Sequence, residues 1–338
     1  MILSSVAIRL ADNSKYKEFL QENSSKTFRN PDTGNNVKLV SLKGEKGKVM
    51  VQKLYQDWLK SHSDSEGSDG PKGNPKAEEV TETKETPKAK EAPRHEVIMA
   101  KKTGGPKGSN QGGFYTGTDG VKRYVKFYRN PEQGVCEHVS NKIYRDLGIE
   151  APDSELFMTE DGKQAYASKI IENTGTVQDQ KYNLKSDQKK KVAESLLKGF
   201  AADVLIANWA VVGLGLDNIM TTPKGDVARI DNGATFFYRA MGSKKPEAAL
   251  QGVSEWERFL DGTNPDYQEV ASWAGVSRAE DIPGIKDQVM KIQDTVKKAG
   301  GWHRYLQGED QLPDEMRHQM ADLLDHRLKK LTGFVSGL

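Results

Sequence analysis

Two oxygen-bearing side chains near the middle of the chain have the spacing expected of metal ligands. Asn218 follows a glycine-bearing loop, and Asp231 ends the second of two short predicted strands around the Lys224-Gly225 turn. Amide and carboxylate oxygens on neighbouring hairpin strands can hold one hard cation that also contacts a phosphate group. Asp-Asn and Asp-Asn-Gly are also common turn formers, so each half of the pattern has a simpler interpretation. Together they predict a Mg²⁺ site.

A glycine-rich stretch upstream, TGGPKGSNQGGFYTG, is a second candidate for binding phosphate. Its glycines include Gly104, Gly105, Gly108, Gly112 and Gly113. Such a loop between two strands can bring backbone N–H groups against phosphate oxygens. Taken alone, the stretch is equally consistent with a flexible hairpin.

A lysine and a glutamate follow this loop at positions that would let them pair. In RYVKFY, strand alternation places Tyr124, Lys126 and Tyr128 on one face, so Lys126 can project beneath the glycine-rich loop. The next predicted helix, from about Gly134 to Leu147, carries Glu137 on the flank of its apolar stripe. We interpret Glu137 as the partner that orients Lys126. An exposed lysine and a solvated glutamate are the alternatives.

The elements around these residues change character along the chain. HEVIMAKK, GGFYTG, VKRYVKFY, ELFMT and QAYASKII are predicted as strands of a mostly antiparallel sheet, and the sequence beyond Ser186 is mainly helical. This order predicts an α+β fold of two lobes, a sheet lobe over about 96–172 and a helical lobe over about 173–338.

The first 95 residues are predicted to lie outside this domain. Residues 61–95 are rich in Pro, Gly, Ser, Glu and Lys, which is the composition of a disordered linker. Residues 1–60 are too few for a large core, so we expect a small accessory module that docks onto a partner.

Composition limits the function and the compartment. Fifty Lys and Arg against 48 Asp and Glu leave a net charge of +2, so the chain lacks a strong field for nucleic acid or a membrane surface. Arg9 and Asp12 interrupt the first apolar stretch, and Cys136 is the single cysteine. We therefore expect a cytoplasmic protein in a reducing compartment, with no membrane span.

These motifs, in this order, resemble a known family. Residues 100 to about 335 resemble the atypical kinases of bacteria and phages related to HipA and, more distantly, the phosphatidylinositol 3- and 4-kinases. The resemblance implies a two-lobed protein-kinase-like fold that binds ATP and Mg²⁺ between its lobes. It implies transfer of a phosphoryl group to a protein hydroxyl by a Ser/Thr kinase, whose role could be that of a toxin or effector, a phage weapon or a regulator.

The resemblance also assigns roles to individual residues. The loop from Gly104 to Gly113 would cover the phosphates, Lys126 would bind them, and Glu137 would orient Lys126. Ile171 and Glu172, in the SKIIE segment, would lie where backbone meets adenine. Asn218 and Asp231 would be the two metal ligands.

One position departs from the family pattern. The family would have Asn-Trp-Asp where this chain has Asn208-Trp209-Ala210, so the expected catalytic aspartate is absent. The chain is either a kinase inactivated at Ala210 or a nucleotide-binding pseudokinase that serves as an interaction module. Asp217 is a less suitable base because its neighbour Asn218 would face the metal. Asp203, in the apolar stripe of its predicted helix, is expected to be a structural residue that hydrogen-bonds to the loop after Asn208.

Limited proteolysis tests the predicted linker. Residues from about 62 to 95 lack the apolar surface that would offset the entropy of ordering them, so a protease should cut there first. Mass spectrometry of the first fragments locates the cut. First cleavage inside 100–335, with the linker resistant, would contradict the prediction.

Overall fold

The computed structural model describes residues 27–29, 36–38, 92–213, 215–253, 255–260, 264–309 and 311–338. The chain divides into two compact units, Met1–Pro87 and Lys88–Leu338. In the first unit, strand β1 (Thr27–Arg29) pairs antiparallel with β2 (Asn36–Lys38). The rest of the predicted accessory module and nearly all of the predicted linker lie outside the described residues.

The second unit begins with a short helix and an antiparallel sheet. Helix α1 (Arg94–Ile98) precedes a five-stranded sheet in the order β3-β4-β5-β7-β6. The strands are β3 (Lys101–Gly104), β4 (Gln111–Thr116), β5 (Lys122–Phe127), β6 (Ser154–Met158) and β7 (Gln164–Lys169). The predicted strands are present with one correction: HEVIMAKK is not one strand. Its first half is helical because one turn of helix places Ile98, fully buried, in an apolar cluster with Val125 and Phe157.

One face of the sheet carries Lys126 and lies against a helix. The register pairs Gly112 with Lys126 and Lys126 with Tyr166, so these three residues share one face. Helix α2 (Pro131–Asp146) contributes to the same core cluster as Tyr166 on that face. The helix begins three residues before the predicted start, because the Asn130 side chain caps it by accepting the Glu132 N–H and Pro131 suits the first turn. The sheet and α2 thereby hold Lys126 and Glu137 on facing surfaces.

The remainder of the unit is mainly helical and contains a second, small sheet. Strands β8 (Gly175–Thr176), β9 (Ile219–Thr221) and β10 (Val227–Arg229) are antiparallel in the order β10-β9-β8. The helices are α3 (Val177–Gln180), α4 (Ser186–Leu197), α5 (Phe200–Leu205), α6 (Glu247–Gln251), α7 (Glu255–Leu260), α8 (Pro265–Ala274), α9 (Ile285–Ala299), α10 (Trp302–Gln307) and α11 (Asp314–Ser336). The predicted α+β architecture, a sheet lobe followed by a helical lobe, is confirmed.

The break between α4 and α5 lies at a glycine against which a buried side chain packs. The sequence predicts one helical stretch from Lys190 to about Asn208, but the structure interrupts it at Gly199. A Cβ atom on Gly199 would lie 2.5 Å from Nη2 of Arg229, so the guanidinium occupies the space of a side chain.

Within the described part of the chain, no helix is both long and apolar enough to cross a membrane.

Arg229 belongs to a buried ion pair that joins β10 to α5. Its Nε lies 2.7 Å from Asp203 Oδ1, and the two side chains are only 1% and 3% exposed. The Tyr144 hydroxyl donates to the same carboxylate over 2.7 Å. Asp203 is therefore structural, but its carboxylate bonds to Tyr144 of α2 and Arg229 of β10, whereas the sequence predicted a bond to the loop after Asn208.

Substitution of Asp203 by Asn should strongly destabilise the second unit. The variant leaves the Arg229 guanidinium buried without a counter-charge, which typically costs about 3–5 kcal/mol. Urea unfolding followed by tryptophan fluorescence measures the loss. Asp161→Asn, which breaks an exposed pair with Lys163, is the control and should leave the midpoint nearly unchanged. Equal midpoints for the two variants would contradict the assigned role of Asp203.

Candidate active site

Lys126 lies at the point where the sheet, helix α2 and the segment after β10 meet. Its Nζ is 2.8 and 3.0 Å from the two carboxylate oxygens of Glu137 and 2.6 Å from Oδ1 of Asp231. Lys126 and Glu137 are buried, whereas the Asp231 side chain is 54% exposed. Lys126 therefore contacts both Glu137, its predicted partner, and Asp231, a predicted metal ligand, although the functional roles of the three residues stay predictions.

The three groups shift one another's pKa values. Burial alone would lower the pKa of Lys126, but the charges of Asp231 and Glu137 outweigh it and hold that pKa well above 10.5. Burial raises the pKa of Glu137, while Lys126 opposes the rise. The charge of Lys126 lowers the pKa of Asp231, whose partial exposure allows it to stay ionised. Lys126 therefore lies between two carboxyl groups, and its charge favours the ionised form of both.

Two glycines of the predicted phosphate loop are required by close backbone contacts. Gly112 lies opposite Lys126 and has φ +137°, and a Cβ atom there would lie 2.0 Å from the carbonyl oxygen of Val125. A Cβ atom on Gly113 would lie 2.3 Å from the carbonyl oxygen of Gly104. Glycine at these two positions lets the backbone of β4 lie directly against its neighbours beside Lys126.

The tip of the same loop is bonded to the strand that carries Lys126. The Lys107 N–H donates to the Tyr124 hydroxyl, and that hydroxyl donates to the Lys107 carbonyl, each over 2.6 Å. Tyr124 lies two residues before Lys126 on the same face of β5. The loop is thus held over this face. The strand alternation that grouped Tyr124 with Lys126 was the feature of the sequence that indicated this arrangement.

Tyr128 is a site residue whose contacts sequence reasoning missed. Its hydroxyl donates to Glu137 through a short hydrogen bond and lies 3.4 Å from Lys126 Nζ. A Cβ atom on Gly233 would lie 2.6 Å from that hydroxyl, so the turn after Asp231 packs against Tyr128. Burial raises the pKa of Tyr128 well above its usual value, and Glu137 adds to the rise, so Tyr128 stays a donor to the glutamate.

The two predicted metal ligands lie at adjacent strand ends. The Ile230 N–H donates to the Asn218 carbonyl over 2.9 Å, which places Asp231 beside Asn218 across the β9–β10 hairpin. Asp231 has φ +54°, a left-handed conformation that aspartate tolerates better than most residues. Oδ1 of Asp231 bonds to Lys126, and the Asn218 amide nitrogen donates to the Ala210 carbonyl over 2.7 Å. The second carboxylate oxygen of Asp231 and the amide oxygen of Asn218 are ligands of the type that Mg²⁺ prefers.

Ala210 is held by its backbone. Its N–H donates to Oδ1 of Asn208 over 3.1 Å, and its carbonyl accepts from Asn218. The Asn208 amide in turn donates to the Tyr144 hydroxyl over 2.9 Å and to Oδ1 of Asn232 over 3.2 Å. Position 210 is therefore fixed next to the predicted metal ligand whatever its side chain.

A buried chain of amides links this loop to α2. The Asn232 amide donates to Oδ1 of Asn141 over 2.8 Å, and the Asn141 amide donates to the Tyr166 hydroxyl over 2.7 Å. Both asparagines are buried. This chain was not predicted, although Asn141 follows Glu137 by one helical turn and so lies on the same side of α2.

The predicted adenine-contacting residues lie in the connection between the two lobes. The Ile170 N–H donates to the Lys122 carbonyl over 3.2 Å, and the Ile171 carbonyl accepts from the Asn173 side chain over 2.8 Å. Glu172 is exposed. The structure brings Lys126, Glu137 and Asp231 into contact, and Asn218 into contact with Ala210, and it places Ile171 and Glu172 after β7.

Comparisons with known proteins give similarity to solved structures alone. No family model and no curated protein match the chain. A proinflammatory kinase of Helicobacter pylori, CtkA, is 15% identical over 71% of this chain and 95% of that chain, with a TM-score of 0.40. The N-terminal 618-residue fragment of LepB from Legionella pneumophila is 14% identical over 64% of this chain and 46% of that chain, with a TM-score of 0.32. The likeness to HipA-related and phosphatidylinositol kinases stays a prediction from the sequence.

Removal of the Lys126 charge should raise the pKa of Asp231. Lys126→Met deletes the largest cause of the lowered pKa, so Asp231 should titrate at higher pH. The stability contributed by ionised Asp231 is present above its ordinary pKa and lost as pH falls through the lowered one. That acid-side loss should shrink in the variant. Carboxyl ¹³C NMR titration measures the pKa, and Asp161, which Lys163 rather than Lys126 perturbs, should not move. An unchanged pKa of Asp231 in Lys126→Met would contradict the ion pair between Lys126 and Asp231.

Proposed function

We propose that this chain has the active site of an ATP- and Mg²⁺-dependent phosphotransferase and that its active form is a Ser/Thr protein kinase. The supporting observation is the Lys126 ammonium shared by Glu137 and Asp231 beside a glycine-rich loop. A buried cation between two carboxylates, one of them half-exposed at a hairpin end, is suited to bind a nucleotide phosphate together with a divalent cation.

Each residue of the site has a part in this proposal. Lys126 would turn from Asp231 to the α- and β-phosphates of ATP, with Glu137 and Tyr128 holding its other side. Asn218 and Asp231 would hold Mg²⁺, which would neutralise charge on the phosphates. The Gly104–Gly113 loop would cover the phosphates, and the backbone at Ile171 and Glu172 would meet adenine.

The proposed chemistry lacks one group at Ala210. An acceptor hydroxyl needs a base that takes its proton, and such a base typically contributes about 10²–10⁴-fold to the rate. Since Ala210 bonds through its backbone to Asn208 and Asn218, an aspartate at this position would keep the same loop contacts. We propose that the chain binds ATP and Mg²⁺ but transfers phosphate very slowly.

A second candidate is a nucleotide-binding pseudokinase that works as an interaction module. The N–H and the carbonyl of Ala210 are both hydrogen-bonded without a carboxylate at this position, which is compatible with a native alanine. In either case we propose that the chain is a bacterial or phage protein, that residues 1–60 dock onto a partner, and that the target of the active form is a protein.

Replacement of Ala210 by Asp distinguishes the two candidates. The variant should gain at least about 10²-fold in transfer of ³²P from ATP to itself or to host proteins, because a general base is restored. The dissociation constant for ATP with Mg²⁺, measured by calorimetry, should change little, since the base acts in the transition state and not in ground-state binding.

Two further variants serve as controls for this experiment. Asp231→Asn in the Ala210→Asp background should abolish both transfer and Mg²⁺-dependent binding, because it removes a proposed metal ligand. Ala210→Ser, similar in size to alanine but without a carboxylate, should stay inactive. Binding without transfer in both the unsubstituted chain and Ala210→Asp would favour the pseudokinase, and absence of binding in the unsubstituted chain would reject both candidates.

A further inference from the structure

Lys245, a residue without a role so far, is a buried lysine whose amino group contacts three backbone carbonyls. Its Nζ lies 2.6 Å from the carbonyl oxygen of Ala207 and 3.0 Å from those of Ala234 and Phe236. The residue is 5% exposed, and its Nζ is 5.2 Å from the centre of the Trp209 ring. A lysine ammonium has three N–H donors, and all three are directed to main-chain acceptors.

The three carbonyls belong to the two loops of the candidate site. Ala207 directly precedes Asn208, which positions Ala210, and Ala234 and Phe236 follow the turn that begins at Asp231. Ala207 and Phe236 both have left-handed backbones, with φ of +53° and +48°, although neither is glycine. Such conformations are unfavourable for residues with a side chain and persist where surrounding contacts enforce them. Lys245 contacts the carbonyl of each.

Among the residues that the structure describes, no carboxylate forms an ion pair with Lys245. Glu255 acts on Lys245 electrostatically, but its carboxylate bonds to Arg327 at 2.7 Å and to the Trp209 indole at 2.8 Å. Burial lowers the pKa of Lys245 to about 7. The three carbonyl acceptors favour the protonated amine, because the neutral amine has only two N–H donors. A hydrophobic residue would have been the simpler choice for packing alone.

We infer that Lys245 is a positioning residue that holds the Ala207–Ala210 loop and the Asp231–Phe236 turn in one arrangement, so that the base position and the metal ligands stay in register. The consequence for ATP and Mg²⁺ rests on the proposed function. The local effect on the two loops does not, because it concerns the unliganded chain.

Hydrogen exchange of the unliganded chain tests the local effect. In Lys245→Met, peptides that cover 204–210 and 231–238 should exchange at least about tenfold faster, since the charge-assisted bonds to three carbonyls are gone. Peptides that cover β5 should exchange at the same rate as before. Lys191→Met is the matched control, because Lys191 also donates to a backbone carbonyl, that of Lys224, but on the surface. It should leave both loops unchanged.

Nucleotide affinity then tests the consequence. Lys245→Met should weaken binding of ATP with Mg²⁺ at least about tenfold, because the two loops would adopt the binding arrangement for a smaller fraction of the time. Lys245→Gln, which keeps a donor without the charge, should fall between Met and the unsubstituted chain. It also serves if the methionine variant does not fold.

The outcomes separate the two hypotheses. Unchanged exchange in both loops of the variants, or an equal increase in every part of the second unit, would overturn the positioning role of Lys245. If the unsubstituted chain does not bind ATP with Mg²⁺, the proposed function is wrong, while the exchange data still decide the role of Lys245.

Discussion

Lys126 carries a positive charge in a buried position, and this constraint organises the second unit. A buried ammonium is costly unless carboxylates and hydrogen-bond acceptors surround it. Here the acceptors come from different elements, Glu137 from α2 and Asp231 from the end of β10. Displacement of the helix or of the hairpin would leave Lys126 uncompensated, so one electrostatic requirement fixes the sheet, the helix and the hairpin together.

A second set of contacts joins the same elements behind Lys126. Asn141 lies one helical turn after Glu137 and bonds to Asn232, which follows Asp231. Asn232 accepts from Asn208, which also bonds to Tyr144. Buried amides of this kind have few alternative partners, so a satisfied network favours one arrangement over others of similar compactness. The charged and the neutral contacts therefore enforce the same geometry.

Local sequence patterns predicted the strands and helices in which side chains of one type recur at a regular spacing. Alternation in RYVKFY placed Tyr124, Lys126 and Tyr128 on one face, and the apolar stripe from Val135 located α2. Short apolar runs were ambiguous: HEVI satisfies either a strand or one helical turn, and only the packing of Ile98 decides between them. The sequence could therefore provide the order of strands and helices but not the state of every short segment.

Contacts between distant residues left no local signal. Asn232 and Asn141 are 91 residues apart, and Lys245 and Ala207 are 38 apart, so no spacing within one element points to them. Residue type did point to Lys126, Glu137, Asn218 and Asp231, because charged and amide groups near glycines suggest phosphate and metal binding. The groups that position them are asparagines, tyrosines and a lysine, which are common in any sequence and acquire meaning only in the fold.

The contacts at position 210 show why binding and chemistry can be separated in this architecture. Ala210 meets Asn208 and Asn218 through its N–H and its carbonyl, so its side chain supports neither the loop nor the hairpin. Lys126, by contrast, is required by the fold as well as by the proposed nucleotide site, because its charge joins three elements. A change at 210 is therefore cheap in stability, whereas a change at Lys126, Glu137 or Asp231 is not. On the proposed function, a chain that loses its base at 210 keeps an intact binding site, since the remaining groups are held in place by the constraints of folding itself.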